Sequence, residues 1–370
     1  MISRRRLLLA APAGFLPGCG KQERFSGYVF VADEEGERVA VVDLGALAVI
    51  RRLPLGAAPS SILAHPSEPF VYALTPGSGT IHEVDSRSLT VTRRVSLGKP
   101  LLSMLLSPDG SALWTATTVA PELIRIPVAT FRPEARIALP AVPVDFALSP
   151  RKPHAAVSFG GGGRVALLDL TARRIFHDGP ASERSGAIRF RSDGEHVLVA
   201  DPATRRLSIL DVASGAVVTQ LKLAIRPDNL CFGGGGGQLF ITGEGMDAVV
   251  IVYPYRTEVA QTQLAGHNPG AMAVSSGQTA WLFVANPKAG DVTIIDIDTQ
   301  RVIAVAAVGA DPSFITVTPN DQYALVLNRA SGDMAIIRLG AVKSDRRRSA
   351  PLLTMIPVGS RPVAAAVREL

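Results

Sequence analysis

The chain has 370 residues, 47% of them hydrophobic, with 38 Lys and Arg against 32 Asp and Glu. Arg4, Arg5 and Arg6 lie in an N-terminal leader, which leaves 35 cations against 32 anions. With no basic stripe interleaved with aromatics, nucleic acid is excluded as a partner. Two cysteines exclude a disulfide-built scaffold, and residues 28 to 370 are too many for one ordinary core.

Residues 1–18 read as a leader. Ser3-Arg4-Arg5-Arg6-Leu7-Leu8 resembles a twin-arginine export signal, and the apolar segment from Leu7 to Leu16 is too short to cross a bilayer. Leu16-Pro17-Gly18-Cys19 resembles the lipobox of bacterial lipoproteins, with Pro17 in place of the usual small residue. That resemblance implies lipidation of Cys19, a tether over residues 19–27, and an exported chain held at the membrane through its lipid, periplasmic or at the cell surface. A plain secreted chain or an uncleaved tail is the alternative.

From Tyr28 onward one plan recurs about every 42 residues, seen most clearly over 281–321. The apolar runs WLFVA, VTIID, VIAVAAV and FITVT are short and β-branched, and turn residues such as Asn286-Pro287 and Gly290-Asp291 separate them. The runs are nearly continuous in apolar residues, which predicts strands covered on both faces. Four strands per unit at this period predict a β-propeller.

First strands begin near Tyr28, Val71, Ala112, Ala155, Val197, Leu239, Trp281 and Tyr323. Second strands often end in Asp (Asp43, Asp85, Asp169, Asp211, Asp296), placed to accept hydrogen bonds from the following turn. Fourth strands begin near Ser61, Ser103, Asp145, Ala187, Asn229, Ala271, Phe314 and Val363. The last has no first strand after it, and the Tyr28 strand has no fourth strand before it, so the two are expected to share a blade. Eight blades follow, or seven if one unit fails. The fourth is the loosest, because 179–186 replace its Gly-x-x-Pro loop. The pieces Leu282–Asn286, Val292–Asp296, Val308–Pro312 and Ser107-Pro108-Asp109-Gly110 resemble the YVTN-type β-propeller repeat family over residues 28–370. The family serves binding proteins, surface-layer proteins and a few enzyme-like relatives, so the resemblance implies a fold more than an activity.

The loops entering the fourth strands are expected on the ligand-binding face. They place Ala58, Lys99, Val142, Arg226, Asn268, Asp311 and Arg361 at the channel mouth, with Arg184 and His267 in equivalent loops. Lys99, Arg184, Arg226 and Arg361 would make the funnel attractive to anions. The alternative is solvated loops whose charges pair with Asp311, Asp228 and Glu183. His267 is the one histidine aimed at the channel, while His65, His154 and His196 read as surface residues. No metal-ligand spacing occurs, Cys231 reads as a buried inert thiol, and the glycine runs 160–163 and 233–237 read as turns. The six residues Lys343 to Arg348 form an insertion that could touch anionic headgroups or stay solvated.

The sequence therefore predicts a non-catalytic, lipid-anchored binding propeller, with an unidentified protein or an anionic small molecule at its funnel. The eight-bladed architecture also resembles the haem-binding half of cytochrome-cd-type nitrite reductases and periplasmic haem-maturation propellers. That resemblance implies an alternative, a haem or tetrapyrrole in the funnel, with carboxylates meeting Arg226, Arg361 and Lys99 and His267 as axial ligand. A second alternative is a lactonase-like enzyme, whose relatives usually have seven blades and no export signal.

Overall fold

A computed structural model describes residues 25–277, 280–342 and 351–369. It contains eight four-stranded antiparallel sheets arranged as a β-propeller, as the repeat predicts, and the seven-blade count is set aside. The innermost strands are Ser61–Ala64, Leu101–Leu106, Pro143–Leu148, Ile188–Phe190, Arg226–Phe232, Met272–Val274, Pro312–Val317 and Pro362–Glu369. Blade 1 combines Gly27–Asp33 with Pro362–Glu369, and blades 2 to 8 follow in chain order from the Ser61 strand. The irregular 179–186 segment feeds a blade 5 inner strand of three residues, yet that sheet is complete. The leader, Cys19 and the 343–348 insertion lie outside the described residues.

The ring closes as expected. Tyr28 lies opposite Arg368, and Val31 lies opposite Ala365. The continuous apolar runs have the reason inferred from sequence. Val39, Ala40, Val41 and Val42 are all fully buried, their alternate side chains entering the interfaces on either side of the blade. Phe30 and Val41 of blade 1, for example, pack with Val71 and Val84 of blade 2. Each such side chain contributes about 1.5–3 kcal/mol when fully buried. The outermost strands have one wet face, and Thr90–Ser96 alternates in exposure accordingly.

The aspartates ending the second strands do the structural job expected of them. Asp85 accepts from the Arg87 and Ser88 amides at 2.8 and 2.7 Å, and Asp169 from Thr171 and Ala172 at 2.9 and 2.8 Å. The Ser88 amide is the chief cause holding the Asp85 carboxyl below its usual range.

His65 differs from expectation. It is buried, its Nδ1 accepting from the Glu68 amide at 2.8 Å and the Ser67 amide at 3.3 Å. Nε2 can then donate to Gly110 O of blade 3 at 2.9 Å. The ring does the work of a turn aspartate and also latches two blades, which explains its burial. His154 and His196 are half-buried, each with Nδ1 shielded from water.

Candidate functional site

The turn between the first two strands of each blade and the loop leaving its outermost strand meet on one face. The backbone dictates this, because one hydrogen bond recurs in all eight blades. It runs from Leu55 N to Glu37 O in blade 1, at 2.9 Å, through to Val358 N to Gly332 O in blade 8, at 3.0 Å. At Gly79 (φ 64°) the loop presses so close that a Cβ would stand 2.2 Å from Lys99 O. Glu37 and Arg205 adopt a similar backbone in the same slot of blades 1 and 5, so it is the gap to Lys99 O that demands glycine here.

The loop residues singled out from sequence are spread around this rim, and most have a partner. Lys99 pairs with Glu122 at 3.3 Å, Arg226 with Glu244 at 3.6 Å, and Arg361 with Glu34 and Glu35 at 3.0 and 3.7 Å. Asp311, at φ 57°, pairs with Arg329 at 2.8 Å. His267 Nδ1 lies 2.8 Å from Asp247 Oδ2, and the Asn268 amide donates to the other oxygen at 2.9 Å. That amide, with the His267 ring, holds the Asp247 carboxyl below its usual range. Apart from Asp311, these carboxylates are not the ones expected from sequence. They come from the turns between the first two strands and from the strand residues that flank those turns.

Balance fails at blades 5 and 6. Among the described residues, neither Arg184 nor Arg205 has an ion-pair partner, and the Arg226–Glu244 pair is loose and exposed. Such a pair is worth about 0–1 kcal/mol. Arg184 and Arg226 border one cavity of about 450 Å³, with Pro202, Pro227, Asp228 and Glu244. Arg205 leans over the same blade 6 turn, with a guanidinium nitrogen 3.8 Å from where a Gly245 Cβ would sit.

A buried aspartate positions Arg184. Asp201, 1% exposed, accepts the Glu183 and Arg184 amides at 2.9 and 3.4 Å through Oδ2, and the Ala203 and Thr204 amides through Oδ1. Burial pushes the carboxyl up, but these amides outweigh it and leave it below its usual range.

The channel wall holds a pair that sequence reasoning missed. Arg189 and Asp145 sit on the inner strands of blades 5 and 4, with Nη1 2.7 Å from Oδ2. The same oxygen accepts from the Ile188 amide at 3.1 Å, and Arg189 Nη1 donates to Ile188 O at 2.6 Å. These Ile188 groups lie on the free edge of the inner strand, which faces the channel. The signal was present in the repeat. Arg189 occupies the slot that Leu63, Leu105, Ala147, Cys231, Ala273 and Thr316 fill elsewhere. Cys231 is half-buried rather than buried, and desolvation pushes its thiol up to about 11, which keeps it protonated and unreactive. Among the described residues no group of three or more His, Cys, Asp or Glu could hold a metal, and no helix is long and apolar enough to cross a membrane.

No protein-family model matches the chain, and no curated protein does. Solved structures do. The dihydro-haem d1 dehydrogenase NirN in complex with DHE superposes with a TM-score of 0.75 at 14% identity, over 95% of this chain and 77% of that one. Kuenenia stuttgartiensis hydrazine synthase gives 0.60 at 18% identity, over 77% of this chain and 96% of that one. A functionally unknown protein from Desulfotomaculum acetoxidans DSM 771 gives 0.60 at 12%, over 93% and 99%. At these identities the likeness is one of fold.

Proposed function

We propose that this chain is an exported, lipid-anchored, YVTN-type binding propeller that seats an anionic ligand at the funnel mouth over blades 5 and 6 and performs no chemistry on it. One observation carries the reading. Arg184, with no ion-pair partner among the described residues and with its backbone fixed by Asp201, shares a 450 Å³ cavity with the weakly paired Arg226. An unpaired cation in a concave site draws anions and has little of its own pairing to lose on binding them.

The likeness to NirN, whose structure holds DHE, favours a tetrapyrrole as the ligand class. The chemistry of the side chains suits such a group: Arg184 and Arg226, which border the cavity, would meet carboxylates, and His267 on the neighbouring loop, with Asp247 at its Nδ1, would have Nε2 for a metal. The full-length protein titrated with iron protoporphyrin should shift its Soret band, and Arg184→Ala/Arg226→Ala should bind at least tenfold more weakly. An unshifted band removes the tetrapyrrole. The anionic reading falls if a tetracarboxylate porphyrin without metal binds the double variant as well as the wild type. Turnover of a lactone by the wild type, lost in His267→Ala, would make the protein an enzyme instead. For the anchor, Cys19→Ala should move the protein from the membrane fraction to the soluble one.

A further inference from the structure

We infer that a cleft between blades 3 and 4, on the face away from the funnel, is a second binding site, for a ligand that joins a flat apolar body to a phosphate-like dianion. The cleft measures about 550 Å³, within the usual range for small-molecule sites. It stands independently of the funnel.

Local turn chemistry builds its rim. In blade 3 the turn is Ser107-Pro108-Asp109-Gly110, where Asp109 accepts the Ser111 amide at 3.0 Å. In blade 4 the corresponding residues are Ser149-Pro150-Arg151-Lys152, and the Ser149 hydroxyl accepts the Arg151 and Lys152 amides at 3.4 and 3.3 Å. The turn is satisfied without its aspartate, so two cations stand where blade 3 has Asp109 and Gly110.

Arg125 and Arg173 complete the rim, and both address one carboxylate, Glu134. Lys152 pairs with Glu195 at 2.9 Å, while the Arg151 side chain, among the described residues, donates only to Ser192 O, at 3.3 Å from Nε. Four cations thus have two paired carboxylates, Glu134 and Glu195, in solvent-exposed pairs, while the Asp109 carboxylate is taken up by Ser107 and Ser111. Exposed pairs contribute little to stability, so a dianion can take a share of these arginines at little cost. The floor is apolar, made by Trp114, Leu148 and Leu170 with the turn prolines. A small inorganic ion would leave that floor wet, whereas a ring would cover it.

Calorimetric titration of the full-length protein with 1-naphthyl phosphate, inorganic phosphate and 1-naphthol tests this. Naphthyl phosphate should bind one-to-one, at least tenfold tighter than either fragment. Arg125→Gln/Arg173→Gln should weaken it at least tenfold, and Arg151→Gln, which removes only one carbonyl contact, severalfold without affecting folding. The funnel variant Arg184→Gln/Arg226→Gln should bind it like the wild type. The site is refuted by no saturable binding to the wild type, by inorganic phosphate binding equally well, or by undiminished binding to Arg151→Gln. Loss of binding in the funnel variant would also refute it, by moving the ligand to the other face.

Discussion

Asp33 accepts hydrogen bonds from the backbone amides of Ser360 and Arg361, both at 3.0 Å, joining residues more than 320 positions apart in the chain. Its carboxylate is fully buried, and its second oxygen takes Arg38 Nε at 2.9 Å. Asp201 makes the same bonds to the loop that carries Arg184, on the opposite side of the ring. One device therefore both fastens the closing strand and holds the backbone of the loop that carries a funnel arginine. Asp33→Ala should lower stability by about 3 kcal/mol, because two amides and Arg38 lose their acceptor. Gly359→Ala should be similarly costly, since its Cβ would fall 2.2 Å from the Asp33 carboxyl carbon. Urea midpoints measure both.

Removing residues 362–370 deletes the inner strand of blade 1 and uncovers the edge of Gly27–Asp33. The truncated protein should lose its single cooperative melting transition and elute as aggregates on size exclusion. Retention of the full-length melting temperature would contradict closure.

His82 gives a pH dependence of known sign. It is 3% exposed, with Nε2 3.1 Å from the Thr75 hydroxyl, and desolvation, aided by Arg94, lowers its pKa from 6.5 to about 4. The folded ring stays neutral where the unfolded ring takes a proton. Its contribution is therefore complete above pH 6.5 and is lost as pH falls from 6.5 to 4, by about 3 kcal/mol at most. The urea midpoint should drop over that window more in the wild type than in His82→Leu. Equal slopes would refute the assignment.

The buried carboxylate of Glu83 pairs with the half-buried Arg93 on blade 2, with Nε 2.7 Å from Oε1. Arg93 also donates to Val128 O of blade 3 at 2.9 Å and stacks over Phe131, 4.9 Å from its centroid. Arg93→Ala strands a carboxylate that is 1% exposed and should cost about 3–5 kcal/mol, whereas Glu83→Leu/Arg93→Met should recover most of that loss. A double-mutant cycle in urea measures the coupling.

The propeller was legible because its driving force is periodic. Every blade needs the same apolar runs and turns, so eight copies reinforce one signal, and even the shared first blade followed from an orphan strand at each end. The site is where copies differ, and a single deviation has no repeats to average. Arg189 was passed over because it sits in an apolar slot of the inner strand, and its partner Asp145 lies one blade away. His65 was misread because a Ser-Pro-Asp-Gly slot predicts exposure, while an imidazole that accepts two turn amides is drawn inward. The partners of Lys99, Arg226 and Arg361 were missed for a similar reason, since the turns between the first two strands, with the residues flanking them, meet the entering loops only once the chain is folded.

The join in blade 1 also sets the order of events on the ribosome. Gly27–Asp33 emerges before blades 2 to 8, and its inner-edge partner Pro362–Glu369 emerges after them. While those seven blades are made, the nascent chain carries a bare β edge that none of them can cover, open to pairing with neighbouring chains until Pro362–Glu369 follows. A holdase acting on this protein would have to guard that one edge through the synthesis of seven blades.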